Sequence, residues 1–255
     1  KSRELILVPT TCGTGSEVTN ISILELTAKN TKMGLADPEL YADEAVLIPE
    51  LAENLPFQFF ATSSIDALIH SIESFTSPKA NDFTRLFSLK AMTIILNTYK
   101  EITEKGRDVL KPLIKDVLTA STFAGIAFGN AGCAAVHAMS YPLGAACHVP
   151  HGEANYVMFT AVYKTYMTLK PEGSIQILND HLAKILECSP EMVYDELERL
   201  LGQLIVKKPM REYGVKKEDI DTYTETVMTK QGRLMANNYT ELDAATVKKI
   251  YESLW

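Results

Sequence analysis

Apolar residues recur along this chain with two different spacings, and the spacing changes near Leu55-Pro56. Before that point, short runs of leucine and β-branched residues alternate with turns that contain Gly, Pro or Asn, a pattern typical of strands. After it, apolar residues recur mainly at helical spacing. The predicted strands cover residues 5–8, 21–26, 32–35 and 45–48. The predicted helices cover residues 56–76, 82–105, 111–130, 134–141, 153–170, 173–186, 189–204, 219–235 and 243–254.

This change of spacing divides the chain into a β-containing segment, residues 1–54, and an all-helical segment, residues 55–255. We interpret the first as part of an α/β domain and the second as a separate, mostly α-helical domain. No internal repeat or low-complexity tract occurs in either segment. A chain of 255 residues is long enough to bury a large hydrophobic core.

Composition and charge narrow the classes of function. The 25 Lys and Arg residues and the 32 Asp and Glu residues give a net charge of −7, with both signs interspersed. A basic face for nucleic acid is therefore not expected. No apolar run approaches the roughly eighteen residues that a membrane span requires, so no membrane partner is predicted. The four cysteines contain no CxxC pair, which favours reduced thiols in a cytoplasmic protein over a disulfide framework.

Candidate metal ligands cluster in two stretches of the sequence. His137, His148 and His151 fall within fifteen residues, and Asp66 and His70 lie four residues apart in a predicted helix. Residues at positions i and i+4 share one face of a helix. Imidazole is the commonest protein ligand for divalent metals, and it binds as the neutral base. One carboxylate and three imidazoles, from Asp66, His70, His137 and His151, would therefore form a metal cage.

Each of these residues also has an ordinary structural interpretation. A lone histidine among alanines, such as His137, is usually a hydrogen-bonded core residue, and an Asp and a His at this spacing often occur by chance. A carboxylate buried beside Ile65 and Leu68 is unfavourable unless it is paired or bound to metal, which favours the metal interpretation of Asp66. We expect His148 beside the ligands or in the substrate cleft.

A turn rich in small residues follows the first predicted strand, with the sequence TTCGTGSEVTN. Glycines and hydroxyls in such a turn let the backbone approach a phosphate, a ribose or a nicotinamide amide closely. The turn is neither a Walker loop nor a GxGxxG fingerprint, and similar turns occur in ordinary hairpins. Lys230 and Arg233 offer cationic groups for an acidic substrate, although solvated surface residues are the more ordinary interpretation.

Taken together, these motifs resemble the iron-containing (group III) alcohol dehydrogenase family. The likeness is carried by PTTCGTGSE, DALIH, AGIAFGNAG and HAMSYPLG followed by HVPHGEAN, in that order along the chain. It implies a dehydroquinate synthase-like architecture, in which residues 1–54 end a nucleotide-binding α/β domain and residues 55–255 form a helical metal- and substrate-binding domain. The resemblance also implies a homo-oligomer.

The family resemblance assigns roles to particular residues. Asp66, His70, His137 and His151 match its metal ligands, for Fe(II) or, in some relatives, Zn(II). The residues that match its NAD(P) contacts are Thr10, Thr11, Thr14, Thr19 and Lys32. Within the family, the segments SSIDALIH, HVPHGEANY and REYGV most resemble members that interconvert 4-hydroxybutyrate and succinate semialdehyde. The implied substrate is thus a small alcohol or aldehyde that carries a carboxylate, with butanol, propanediol or glycerol types as alternatives.

The chain departs from the family pattern in two places. Many members have a histidine four residues after the position of His137, where this chain has Tyr141. We expect Tyr141 to hold a water or the substrate hydroxyl there, with His148 as a second catalytic candidate. The glycine-rich GGGS turn that holds the pyrophosphate has no counterpart here. We therefore expect the chain to begin part-way through the first domain, and the isolated chain to bind NAD poorly.

Two other classes of function use the same cage. A metal-dependent hydrolase would activate water, and a non-catalytic helical domain would hold a purely structural metal. A structural site is closed by its protein ligands, with no cleft beside it, whereas a catalytic site keeps an open position. The glycine-rich turn favours the dehydrogenase over both alternatives.

Overall fold

The structure, a computed structural model, describes residues 3–26 and 31–255, with the side chains of residues 25–33 outside that description. Four short strands form two small sheets: β1 (Ile6–Leu7), β2 (Ile21–Leu26), β3 (Thr31–Ala36) and β4 (Glu44–Ala45). β1 pairs in parallel with β4, and β2 pairs antiparallel with β3 in a register that sets Ile21 opposite Ala36. The strand predicted at residues 45–48 is wrong in extent, because the pairing with β1 covers only Glu44 and Ala45. A 3-10 turn (Pro49–Leu51) follows after three residues.

Helices dominate the rest of the chain, which confirms the predicted fold class. Their bounds are α1 (Phe57–Thr76), α2 (Asp82–Lys105), α3 (Leu110–Ala131), α4 (Ala135–Cys147), α5 (His151–Leu169), α6 (Ser174–Leu186), α7 (Val193–Leu204), α8 (Asp219–Lys230), α9 (Gly232–Met235) and α10 (Ala244–Leu254).

α1 is the central helix of this bundle. It packs against α2, α3, α5 and α6, and every residue from 64 to 76 is buried. The serine hydroxyls of α1 donate hydrogen bonds to carbonyl oxygens of the same helix. Ser64 Oγ, for example, donates to the Phe60 carbonyl oxygen at 2.8 Å. Carboxylates in such a helix cannot reach water, so Asp66 and Glu73 require partners from the protein or a bound cation.

Several helix boundaries differ from the sequence prediction, and two of these differences affect the functional site. The helix predicted to end at Tyr141 continues through Pro142 to Cys147, because Pro142 and Leu143 pack into the interior and outweigh the lost backbone hydrogen bond. The helix predicted at residues 219–235 breaks into α8 and α9 at Gln231 and Gly232, where glycine has a low helix propensity. Both differences shape the walls of the cavity described below.

Among the described residues, no single helix is long and apolar enough to span a bilayer. One pair of consecutive segments, Arg107–Ala131 and Ala135–Cys147, is together long and apolar enough, but the two are bent by 105° relative to each other.

Candidate metal centre

Three helices bring the four candidate ligands together. α1 supplies Asp66 and His70 from successive turns, α4 supplies His137, and α5 begins at His151, directly after Pro150. One ligand atom from each of the four side chains lies within 4.8 Å of every other. The carboxylate of Asp66 is the common neighbour: its oxygens lie 3.9 Å from His70 Nδ1, 3.6 Å from His137 Nε2 and 3.7 Å from His151 Nε2.

Two of the ring nitrogens that face the centre have no hydrogen-bond partner. His70 Nδ1 and His137 Nε2 are both buried and unsatisfied among the described residues. A buried polar atom without a partner costs about 1–3 kcal/mol. A divalent cation bound between these nitrogens and the Asp66 carboxylate would satisfy all of them, and an Asp–His donor set suits Fe(II) and Zn(II). The residues present therefore fit a metal ion.

Glu73 holds His137 in the orientation that such a centre needs. Glu73 is fully buried in α1, and its Oε2 lies 2.6 Å from His137 Nδ1. Because a carboxylate only accepts, Nδ1 is the donor, and Nε2 is left to face the centre. The same carboxylate accepts the backbone N–H groups of Ala134 at 3.0 Å and Val136 at 2.7 Å. It thus caps the start of α4, which has no side-chain cap of its own.

Asn155 and two stacked rings orient the other ligands. Asn155, one turn after His151 in α5, donates from Nδ2 to Asp66 Oδ1 at 2.7 Å and lies 3.2 Å from His151 Nε2. The His70 ring stacks between Phe128, at 4.1 Å, and His137, at 4.6 Å between ring centroids. These contacts keep His70 Nδ1 turned toward Asp66.

The electrostatics of the cluster suit a cation. Burial alone would raise the pKa of Asp66, but His70 and His151 outweigh it and lower that pKa well below its ordinary value. Burial lowers the pKa of His70 to about 3, so this ring is neutral near pH 7. Burial opposes protonation of His137 as well, but Cys133 and Glu73 outweigh it and raise its pKa well above the ordinary value. A cation that binds His137 therefore displaces a proton.

The four side chains open into a cavity of about 480 Å³. Its wall includes all four candidate ligands, the side chain of Tyr141, and the apolar residues Ile21, Ile23, Phe128, Val149 and Leu234. His151, whose side chain is 43% exposed, stands at the open side of the cluster. A centre with such a cleft has the arrangement of a catalytic site and not of a closed structural one.

Comparison with known proteins identifies the family. The family described as "Fe-containing alcohol dehydrogenase family, C-terminal" matches residues 60–255, and "Iron-containing alcohol dehydrogenase" matches residues 1–49. This chain belongs to the iron-containing alcohol dehydrogenase family. The resemblance inferred from the sequence motifs is therefore confirmed.

Several relatives of this iron-containing alcohol dehydrogenase chain are characterised. It is 52% identical over 255 residues to 4-hydroxybutyrate dehydrogenase of Clostridium kluyveri, covering 100% of this chain and 69% of the relative. Among solved structures, the alcohol dehydrogenase of an archaeon from a Red Sea brine pool superposes with a TM-score of 0.89 at 21% identity, covering 99% of this chain and 64% of that one. Sulfoacetaldehyde reductase from Bifidobacterium kashiwanohense, solved in complex with NAD⁺, superposes with a TM-score of 0.84 at 21% identity, covering 98% and 64%. These two structures establish the fold.

The residues predicted to contact cofactor or substrate are distributed unevenly around the cavity. Tyr141, Thr14 and Thr19 line it. Thr10, Thr11 and His148 are not among its lining residues; His148 is exposed and ends α4 in a left-handed conformation, with φ 53°. Lys32 lies in β3 opposite Glu25, and its side chain lies outside the described residues.

The glycine-rich turn packs against the helices of this dehydrogenase fold through its glycines. A Cβ at Gly13 would lie 2.7 Å from Ser63 in α1, and one at Gly15, where φ is +56°, would lie 2.5 Å from Gly125 in α3. Neither position has room for a side chain. The glycines thus bring the turn close to α1 and α3, while the hydroxyl-bearing residues Thr14 and Thr19 line the cavity.

The absence of a side chain at Gly152 sets the distance between α5 and α1. A Cβ there would clash with the carbonyl oxygen of Thr62 and lie 3.3 Å from Asp66 Cβ. We expect Gly152→Ala to push His151 away from Asp66, which weakens metal binding and lowers the free energy of unfolding by about 1–3 kcal/mol, the usual cost of overpacking. Metal titration and urea denaturation measure the two effects.

Gly202→Ala is the matched control for this prediction. Gly202 is exposed in α7, and a Cβ there meets only the Tyr156 hydroxyl, at 4.0 Å. We expect this variant to keep its metal affinity. Its free energy of unfolding should rise by about 0.5–1 kcal/mol, because alanine is more stable than glycine in a helix interior. Equal behaviour of the two variants would contradict the role given to Gly152.

Proposed function

We propose that this chain carries the metal- and substrate-binding site of an NAD-linked dehydrogenase that interconverts 4-hydroxybutyrate and succinate semialdehyde. The observation that carries the proposal is the cluster of Asp66, His70, His137 and His151, whose ligand atoms lie within 4.8 Å at the wall of an open cavity. The 52% identity to the 4-hydroxybutyrate dehydrogenase of C. kluyveri supports the substrate.

The four clustered residues would hold Fe(II) or Zn(II). The ion supplies Lewis-acid chemistry toward an alcohol or aldehyde oxygen, and the nicotinamide supplies the hydride chemistry. Asp66 contributes the negative charge of the donor set. Glu73 keeps His137 in the tautomer that presents Nε2, and Asn155 holds Asp66 in place.

Tyr141 is the proposed contact for the substrate hydroxyl or an ordered water. It lines the cavity, and its ring centroid lies 6.0 Å from that of His151. Burial raises the pKa of Tyr141, so its hydroxyl stays protonated and able to donate a hydrogen bond. No contact in the described part of the cavity supports a catalytic role for His148, which stays a prediction from the sequence.

Thr14 and Thr19 are the proposed cofactor contacts with direct support, because both line the cavity beside the candidate metal centre. Thr10 and Thr11 precede them in the same turn, and Lys32 belongs to the neighbouring hairpin. We extend the cofactor site to these three residues on the family resemblance alone. The solved NAD⁺ complex of sulfoacetaldehyde reductase, a relative with this fold, supports NAD as the cofactor.

The domain division, the assembly and the location are part of the same proposal. We assign residues 1–54 and 55–255 to separate domains; α1 begins at Phe57, shortly after this boundary. A homo-oligomer is proposed, supported by exposed apolar side chains such as Phe83, at 78%, and Leu86, at 63%. A cytoplasmic location is proposed from the cysteines, all four of which are free.

Metal analysis paired with an activity screen tests the proposed function. We expect protein purified without oxygen to carry about one Fe or Zn per chain, and chelation to lower its unfolding temperature, because a ligand that binds only the folded state stabilises it. The full-length protein should oxidise NADH with succinate semialdehyde. Metal-dependent release of a hydrolysis product without NADH turnover would contradict the proposal and favour a hydrolase.

A further inference from the structure

Arg233 is the only lysine or arginine among the described residues that line the cavity. The rest of the wall offers the candidate metal ligands, hydroxyls, Cys133 and apolar side chains. The chain carries a net charge of −7, so the protein as a whole does not attract anions. Arg233 provides a local positive charge in the cavity. An anionic group that enters the cavity meets a single lysine or arginine in the described wall.

The guanidinium of Arg233 has no hydrogen-bond or ion-pair partner among the described residues. Other arginines are engaged: Arg199 with Glu196, Arg211 with the carbonyl oxygen of Trp255, and Arg85 with that of Phe75. A guanidinium carries five donors in a planar fork that matches a carboxylate. Arg233 therefore has its full donor set available to a ligand.

The backbone around Arg233 is anchored to the cavity wall. The next residue, Leu234, is buried, and Asn237 donates from Nδ2 to the carbonyl oxygens of Ala131, at 2.9 Å, and Cys133, at 3.2 Å. Ala131 ends α3, and Cys133 lies in the connection from α3 to α4, which carries His137. The position of Arg233 relative to the metal centre is thus fixed by the fold, as a specificity-determining residue requires.

Arg233 reaches toward β3 and toward the candidate metal centre. Gly34 in β3 lies beside the guanidinium, since a Cβ there would be in ordinary van der Waals contact with Arg233 Nη2, at 3.5 Å. Arg233 is also within electrostatic reach of Tyr141, which lies next to His151. The same cavity is lined by Ile21, Ile23 and Leu234, apolar side chains that suit methylene groups.

We propose that Arg233 binds the carboxylate of an ω-hydroxy acid or ω-oxo acid, and so selects such substrates over neutral alcohols and aldehydes of equal length. The inference rests on the proposed function, since it places the alcohol oxygen of the same substrate at the metal centre. The competing source of an anion is a phosphate of the dinucleotide. The substrate carboxylate is favoured because apolar side chains line the cavity that Arg233 shares with the ligand cluster.

Arg233→Gln and Arg233→Lys test the proposal in the full-length, metal-loaded protein. The substrates are succinate semialdehyde and its neutral methyl ester, methyl 4-oxobutanoate. We expect Arg233→Gln to lose roughly 10- to 100-fold in kcat/KM for succinate semialdehyde, mainly through KM, with little change for the ester. Arg233→Lys keeps the positive charge but not the planar guanidinium, so its kcat/KM for succinate semialdehyde should lie between those of the wild type and Arg233→Gln. The KM for NADH should stay unchanged.

Lys230→Gln is the control with the same change of charge. Lys230 lies three residues before Arg233, is exposed and does not line the cavity. We therefore expect Lys230→Gln to show wild-type kinetics toward both aldehydes. Equal losses of Arg233→Gln toward both aldehydes, together with a raised KM for NADH, would assign the guanidinium to the cofactor phosphate and overturn the proposal. An unchanged preference for the acid over the ester would overturn it as well.

A binding titration without cofactor separates the failure of this inference from that of the proposed function. Calorimetry of the metal-loaded protein with 4-hydroxybutyrate and with 1,4-butanediol should show a preference for the acid that Arg233→Gln removes. If the wild type shows this preference but turns over neither aldehyde, the proposed function is wrong and the carboxylate site stands. If the wild type shows no preference for the acid, the carboxylate site is wrong whatever the turnover.

Discussion

Asp66→Asn is expected to lose the bound metal and the dehydrogenase activity together. Asp66 is the only carboxylate among the four candidate ligands, and each of the three histidines has a ring nitrogen within 3.9 Å of it. Removing an outer-shell partner of a metal ligand typically costs roughly 10- to 100-fold in metal affinity. Loss of the anionic ligand itself should exceed that range, and kcat should fall in proportion to the metal content.

The asparagine substitution isolates the charge because it preserves the local hydrogen bond. Asn155 Nδ2 donates to Asp66 Oδ1 at 2.7 Å, and the amide oxygen of an asparagine accepts equally well. The variant should therefore fold. Metal per chain is measured by elemental analysis after dialysis, and activity by NADH oxidation. Asp180→Asn, at an exposed position of α6, serves as the control and should retain both. A variant Asp66→Asn that kept full metal occupancy would contradict the assignment of this ligand.

The pairing of Asp66 with His70 could be predicted from the sequence because it is local. Two side chains four residues apart in a helix share a face, whatever the rest of the chain does. His137 and His151 were predicted from residue type and spacing, and the structure brings both to Asp66 from α4 and α5. Their convergence depends on how three helices pack, which the sequence supplied only through its resemblance to a known family.

Glu73 and Asn155 were not predicted, although both orient ligands. Glu73 follows His70 by three residues, and Asn155 follows His151 by four, so each shares a helical face with a candidate ligand. That spacing was the available signal, but polar residues at such positions are common on any helix. The contact that gives Glu73 its role joins it to His137, 64 residues away. Only the tertiary packing of α1 against α4 reveals it.

Local rules gave the wrong end for α4. Proline removes a backbone donor and clashes with the preceding turn, so Pro142 predicted a helix that stops at Tyr141. In the structure, Leu143 is fully buried and the helix continues to Cys147, which places Gly144 in the cavity wall. Burial of apolar side chains here outweighs a local preference of about 3 kcal/mol. Tertiary packing also determines the glycine-rich turn, where Gly13 and Gly15 allow the backbone to pack closely against α1 and α3.

Glu73→Gln is expected to weaken metal binding and destabilise the fold at once. The carboxylate accepts from His137 Nδ1, Ala134 N–H and Val136 N–H, all of them buried. A glutamine replaces one acceptor oxygen by a donor, which then faces another donor. If the amide donates to His137 Nδ1 instead, the ring proton moves to Nε2, toward the centre, and blocks the metal. We expect metal affinity to fall by roughly 10- to 100-fold.

The same substitution should lower the free energy of unfolding of the metal-free protein by about 1–3 kcal/mol, the cost of leaving a buried donor unsatisfied. Urea denaturation measured with chelator present isolates this effect from metal binding. Glu104→Gln, at an exposed position near the end of α2, carries the same change of charge and should leave both quantities near wild type. If Glu73→Gln lost stability but kept wild-type metal affinity, Glu73 would be a cap for α4 alone, and the orientation of His137 would have to come from the packing of its ring between His70 and His151.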